Sequence, residues 1–192
     1  ASGSEYSNLL TNYSMGHYDY SGKNDIIDQL IKAITKKYKC LVTYDSKVAR
    51  KENKFYIEPE KLLTYNGGLY VIFYVRNQKE FWLLAVHRIL DLKVHDEVFP
   101  DDHPFDEKTF IKNRFGLFSG KPENIKLKFD KSIRHYIEHK HWNSSQEFKS
   151  DKKGNLILEM ETPITPELTA WILGWNKKVK VLKPDKLKND IK

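Results

Sequence analysis

One cysteine, Cys40, stands in 192 residues. A lone thiol excludes an internal disulfide and any multi-cysteine zinc site, and it fits a reducing compartment. Cys40 lies in Cys40-Leu41-Val42-Thr43-Tyr44, an apolar strand-like run where it reads as a small core residue. Arginine is scarce too: only Arg50, Arg76, Arg88, Arg114 and Arg134 among 33 basic residues. The planar, bidentate phosphate-binding group is therefore uncommon, and an arginine inside an apolar run carries more information than another surface lysine. No apolar run approaches the roughly 18 residues that cross a bilayer, and the N-terminus lacks the basic start and apolar stretch of a signal peptide. A soluble, cytoplasmic protein without a membrane partner is expected. There is no Gly-rich phosphate loop, Gly-x-Ser-x-Gly elbow or His-Glu-x-x-His, so neither catalysis nor a cofactor is expected.

What is present suits globular domains: 40% hydrophobic and 13% aromatic residues supply enough apolar material for one or two small cores. The net charge of +7 is uneven, with 17 basic and 16 acidic residues in 1–118 but 16 and 10 in 119–192. A basic C-terminal part suits a polyanionic partner, and equally a lysine-rich composition kept for solubility.

Ala1 to Gly22 has no steady period and reads as a tail or linker. Ile26, Ile27, Leu30, Ile31, Ile34 and Tyr38 form an apolar stripe at helical spacing, with Asp25 and Asp28 early and Lys36 and Lys37 late, predicting an amphipathic helix over 24–38. A strand at 40–44 follows, then a charged turn at Lys47–Asn53 and two short strands in 54–65 bent at Pro59. Asn66-Gly67-Gly68 marks a tight hairpin between apolar, aromatic runs, and Arg76-Asn77-Gln78-Lys79 joins a further strand pair. Five short strands in so few residues predict a small barrel. Asp101-Asp102-His103-Pro104 is the expected boundary, followed by a helix from Asp106 that stops at Gly116. The second unit reads as strand 125–129, helix 131–140, strands 147–149 and 156–161 around a turn at Gly154, a helix capped by Thr165-Pro166-Glu167, and strand 179–182. That βαββαβ order predicts a ferredoxin-like sandwich.

Glu58-Pro59, Tyr65-Asn66-Gly67-Gly68-Leu69-Tyr70-Val71-Ile72 and Leu84-Ala85-Val86-His87-Arg88-Ile89, in that order, resemble the WYL domain, an Sm-like β-barrel of bacterial transcription regulators. Trp142, Gln146, Gly154, Glu167-Leu168, Trp171-Ile172-Leu173, Trp175 and Val179-Val181-Leu182-Pro184 resemble the C-terminal extension that commonly follows it. Two positions depart from the pattern: Phe55, beside Lys54, replaces an arginine, and Leu69 replaces the tryptophan of the family name. The expected class is α+β. It comprises a tail (1–22), an Sm-like (SH3-like) barrel with a leading helix (23–103), a connecting segment (104–121) and a ferredoxin-like extension (122–192). Members usually carry an N-terminal winged helix-turn-helix, which residues 1–60 cannot hold; DNA contact would then run through a part absent here.

The resemblance implies the ligand-sensing and dimerising part of such a regulator, with a nucleotide or single-stranded nucleic acid as anionic effector and a homodimer as the assembly. Arg88 is the leading candidate, because an arginine at the end of a barrel strand can aim its guanidinium into a pocket; an ion pair with Asp91 or a carbonyl cap explains it as well. Tyr44 and Tyr70 are candidate stacking platforms or plain core rings. His87 and Lys54 complete this group. Lys126, Lys128, Arg134, Lys140 and Trp142 form a possible second basic face, for which solvated lysines and a core tryptophan are the simpler account. His135, His139 and His141 lack the Cys or carboxylate that would make a metal site, and none is expected. Two other readings stay open: a stand-alone single-stranded nucleic-acid-binding module, and a dimer scaffold without ligand, anchored by Trp171 and Trp175.

Overall fold

The computed structural model describes residues 16–46 and 51–191. Contacts divide the chain into two compact units, Ala1–Pro104 and Phe105–Lys192. The first begins with α1 (Asn24–Lys36), whose Ile26, Leu30 and Ala33 are buried at helical spacing. It ends before the expected Tyr38 because Lys37 turns left-handed, at φ 53°, and donates its N–H to the Ala33 and Ile34 carbonyls. That turn releases β1 (Tyr38–Ser46), which is followed by β2 (Lys51–Tyr65), β3 (Gly68–Val75), β4 (Glu80–Ala85) and β5 (Ile89–Val98). Of the expected turn at Lys47–Asn53, residues 47–50 lie outside the described residues, and Lys51, Glu52 and Asn53 are strand, since the β1–β2 ladder already begins at Ser46 and Lys51. The two short strands expected around Pro59 are one strand, β2, with a register shift between Pro59 and Lys61. A proline cannot donate to a ladder, so the chain bulges there instead of breaking.

The five strands form one antiparallel sheet in the order β4-β3-β2-β1-β5. Among the described residues no ladder joins β4 to β5, so its hydrogen bonding stays open at those edges. The β2–β3 turn is the tight hairpin expected: Asn66 (φ 44°) and Gly67 (φ 72°) connect the paired Tyr65 and Gly68. Two consecutive positive φ values define the I′ geometry that matches strand twist. Of the expected tail 1–22, the described part lies against this hairpin: the Leu69 N–H donates to the Tyr20 hydroxyl at 2.6 Å and the Tyr18 N–H to the Gly67 carbonyl at 3.4 Å; next to it, Lys23 Nζ donates to the Ile89 carbonyl.

Cys40 sits in the first core beside Val42, Ile57 and Leu92, and burial pushes its thiol up to about 12. Since the thiolate is the nucleophile, the smaller thiolate fraction alone should make iodoacetamide at pH 8 label the native protein about a thousandfold more slowly than the urea-unfolded chain. Equal rates would contradict a closed core.

The second unit runs α2 (Glu107–Lys112), β6 (Arg114–Phe115), β7 (Phe118–Ser119), β8 (Pro122–Phe129), α3 (Arg134–Ile137), β9 (Glu147–Ser150), β10 (Leu156–Pro163), α4 (Pro166–Leu173), β11 (Val179–Lys183) and α5 (Asp185–Asp190). Its four-stranded antiparallel sheet has the order β11-β8-β10-β9. Three local expectations are corrected. The helix from Asp106 ends at Lys112, and Gly116 makes a β6–β7 hairpin turn in place of a helix cap. The helix over 131–140 shrinks to a 3-10 turn, Lys131–Ile133, and the single turn of α3. A last helix, α5, is added after Pro184, burying Leu187. As expected, Thr165 caps α4, accepting from the Leu168 N–H at 3.1 Å, with Pro166 at its first position. No described helix is long and apolar enough to cross a membrane.

Candidate functional site

Strand alternation places Cys40, Val42 and Tyr44 of β1 on one face of the first sheet. The register brings Ile57, Phe55 and Asn53 of β2 opposite them. Through Pro59 and the residues after its bulge, β2 pairs with β3, and β3 in turn pairs with β4. Together these strands bound a cavity of about 930 Å³ with an aromatic wall of Tyr44, Phe55, Tyr56, Phe73, Tyr74 and Trp82. Asn53, Asn77 and Ser46 supply neutral polar groups to it, and Lys39, Arg76, Glu58 and Glu97 supply charge. Both cations are already paired: Lys39 with Glu97, and Arg76 Nε with Glu58 Oε1 at 2.6 Å. The groove is thus apolar in its walls and close to neutral in charge.

Arg88 leaves the short turn Val86–Arg88 between β4 and β5 and lays its guanidinium over the Tyr44 ring, 4.8 Å from the centroid. One Nη2 donor caps the Asp45 carbonyl, and no ion pair to Asp91 is present among the described residues. The Tyr44 hydroxyl accepts from the Ala85 N–H at 3.2 Å, and burial raises its pKa. Arg88 and Tyr44, 44 positions apart in sequence terms, are therefore brought together. Tyr70 points to the opposite face of β3 from core-packed Leu69 and Val71, its ring lying over Gly68. His87 stacks on Tyr18 at 3.8 Å and 10°. Lys54 pairs with Thr43, the position next to Tyr44, so it projects from the opposite sheet face and is exposed. Sequence reasoning assembled five residues; the fold splits them into Arg88–Tyr44, a Tyr18–His87–Tyr70 neighbourhood, and Lys54 apart.

Sequence reasoning missed a group at the other end of the groove. Glu58, 6% exposed, is held by Arg76, whose Nη1 also donates to Asp102 Oδ2 at 3.2 Å. Asp102 Oδ1 lies 2.6 Å from His103 Nδ1, and His103 stacks on Tyr74 at 3.9 Å and 7°. The hydrogen bond from His103, and after it those from Arg76, hold the Asp102 carboxyl down at about 2 against a usual 3.8. A depressed carboxyl stabilises the fold above its unfolded value and loses that contribution as pH falls toward the folded one. The gap in thermal midpoint between wild type and Asp102→Asn should therefore be fully open at pH 5, narrow below pH 4 and close near pH 2. A gap independent of pH would rule out the ionised Asp102 as its source. Glu58 and Arg76 are 18 positions apart and Arg76 and the adjacent Asp102–His103 pair 26 or more, so no spacing signals the group; only the rarity of arginine singled out Arg76.

In the second unit the predicted basic face is largely neutralised. Lys126 pairs with Glu159 at 2.8 Å, Lys128 with Asp151 at 3.8 Å, and Arg134 with Glu138 at 2.5 Å. Lys140 lies over Trp142, whose indole N–H donates to the Ile137 carbonyl at 2.9 Å. Gln146 Oε1 accepts from the Trp142 and Asn143 amides, so these two motif residues hold a loop. Trp171 and Trp175 pack against the core formed by Phe129, Leu158 and Ile172. His135 lies against Tyr136 and His139 beside Glu138, and the described residues contain no cluster able to hold a metal ion.

Comparison with known proteins matches residues 25–94 to the model of the WYL domain and residues 121–192 to that of the WCX domain. No curated protein matches. Among solved structures, one described as a CRISPR Cas-related protein is similar at a TM-score of 0.57 and 13% identity, over 87% of this chain and 49% of that one. Proteasome accessory factor B/C (PafBC) of Arthrobacter aurescens is similar at a TM-score of 0.40 and 13% identity, over 93% of this chain and 27% of that one. The chain thus spans less than half the length of each of these two structures, and the first of these likenesses is one of fold.

Proposed function

Because the chain carries a WYL domain followed by a WCX domain, we propose that it is the sensing and dimerising part of a bacterial, cytoplasmic transcription regulator. Its first unit acts as an Sm-like barrel whose aromatic groove binds a nucleotide or single-stranded nucleic acid, without catalysis. The second is a ferredoxin-like domain, a reading supported by its strand order: numbered within the unit, β11-β8-β10-β9 is 4-1-3-2. DNA reading belongs to a winged helix-turn-helix outside the described residues. Effector binding favours one arrangement of the regulator over another by its differential affinity for the two.

The observation that carries this reading is the groove's aromatic wall of six rings, one of which, Tyr44, is overlaid by the Arg88 guanidinium, although Arg88 itself does not line the cavity. Rings of this kind accept bases by stacking, at about 1–3 kcal/mol per base. The paired lysines of the second unit make its sheet a weaker candidate for the same task.

The test is binding of short single-stranded DNA and RNA and of a nucleotide panel to wild type and Arg88→Ala at two salt concentrations. Saturable binding, reduced at least about tenfold in the variant, is expected, with unfolding stability lowered by only about 1 kcal/mol. Weak binding that fades with salt and ignores Arg88 would overturn the sensor reading in favour of a nonspecific basic surface. A large stability loss would make Arg88 a structural cap.

A further inference from the structure

Glu58, Tyr74 and Arg76 line the groove, and the same three residues hold Asp102 and His103, which do not line it. Arg76 serves its two carboxylates unequally. Nε is bound to Glu58 at 2.6 Å in a buried position, while Nη1 and Nη2 reach Asp102 at 3.2–3.4 Å, and the Asp102 side chain is 58% exposed. The Nη edge of a guanidinium matches phosphate as well as carboxylate, so Asp102 occupies the one fork in this wall that suits an anion. Asp102 in turn belongs to the last stretch of the first unit. Phe99 is buried and its N–H is bound to the Lys37 carbonyl; His103 is stacked on Tyr74; the unit ends at Pro104.

We propose that the Nη edge of Arg76 is the phosphate receptor of the groove, and that a ligand phosphate takes it by displacing Asp102, loosening His103 and the segment 101–104. The proposal rests on the reading of the groove as a ligand site. It specifies the ligand as a planar ring bearing a phosphate, with the ring on the aromatic wall and the phosphate on Arg76. Glu58 keeps Nε throughout, so its buried carboxylate never loses its cation, and the cost of exchange falls on the exposed carboxylate alone. The sign is unusual. Asp102 competes with the ligand, so removing its charge strengthens binding of the anion and leaves a neutral ring unaffected.

Titrations of the four ribonucleoside 5′-monophosphates and their parent nucleosides into wild type and Asp102→Asn test it, with the His103 ring resonances followed by NMR. Stacking on Tyr74 gives those resonances a ring-current shift that reports release. At least one monophosphate should bind wild type more tightly than its nucleoside. In Asp102→Asn that monophosphate should gain about tenfold, the value of one charge-assisted contact, with the nucleoside unchanged. Monophosphate should move the wild-type His103 signals toward those of the free variant. Arg76→Gln should erase the difference between monophosphate and nucleoside; should it fail to fold with Glu58 unpaired, Glu58→Gln/Arg76→Gln removes both charges. Equal binding of monophosphate and nucleoside, unaltered by Asp102→Asn, would overturn the receptor role while leaving the groove reading intact. Tighter monophosphate binding without movement of His103 would overturn the release. No binding by any member would overturn both.

Discussion

Phe129→Ala is expected to remove about 3–5 kcal/mol from the stability of the second unit. Phe129 is fully buried at the end of the central strand β8, paired with Leu156 on β10 and Val179 on β11. Trp171 and Trp175 meet its ring edge-on, with centroids 5.8 and 6.3 Å away. Truncation removes the transfer energy of a whole ring and leaves a cavity. The surrounding main chain, hydrogen-bonded on both sides, cannot close that cavity. Whole domains hold only about 5–15 kcal/mol, so the variant should be marginal. Three of the four tryptophans, Trp142, Trp171 and Trp175, lie in this unit and Trp82 in the other. Urea unfolding followed by tryptophan fluorescence therefore reads chiefly the second unit. A loss below about 1 kcal/mol would mean that the site is not closely packed. Tyr136→Ala, at a 55% exposed ring, is the control and should shift stability by no more than about 0.5 kcal/mol.

Gly116→Ala should cost about 2–4 kcal/mol from two sources. Gly116 has φ +74° in the two-residue turn between β6 and β7, where a side chain adds roughly 1–2 kcal/mol of strain. A Cβ there would also overlap the Glu167 carboxylate, which accepts from the Leu117 and Phe118 amides at 2.7 and 3.2 Å. Moving that carboxylate forfeits charge-assisted bonds, the second source. Glu167→Ala alone should cost about 1.5–3 kcal/mol. Both changes disrupt the same bonds, so the double variant should lose less than the sum of the two. Strict additivity in the cycle would refute the shared mechanism.

Glu167 also shows what sequence could and could not say. An acid one position after Thr165-Pro166 reads as a partner for the α4 dipole. The fold gives it a second task, tying down a hairpin 50 positions away. Features written in short-range pattern were legible: the α1 stripe, the I′ turn at Asn66-Gly67, the Thr165 cap, and the alternation of Ile125, Leu127 and Phe129 with Lys126 and Lys128. Misreadings occurred where local signals were weak or tertiary contacts overrode them. Ile133, Tyr136 and Ile137 have helical spacing but only a single turn of helix, because the chain leaves it to bury Trp142 on the Ile137 carbonyl. Gly116 fits a helix cap as well as it fits a hairpin.

The candidate site was legible in its chemistry and only partly in its membership. Arg88 and Tyr44 were picked separately, one for its scarcity and one for its ring, and the sheet register joined them. Lys54 was excluded by a single-residue parity that no composition reveals, since neighbouring strand positions face opposite ways. By itself the sequence determined α1, the alternating strands, the Asn66-Gly67 turn and the Thr165 cap, with the faces they bury, because propensity, capping and periodicity act within a few residues. Only the tertiary structure decided which charges meet. Glu58, Arg76, Asp102 and His103 come from a bulged strand, a turn and the unit's last residues, and a Coulomb interaction depends on distance in space, which separation along the chain does not encode.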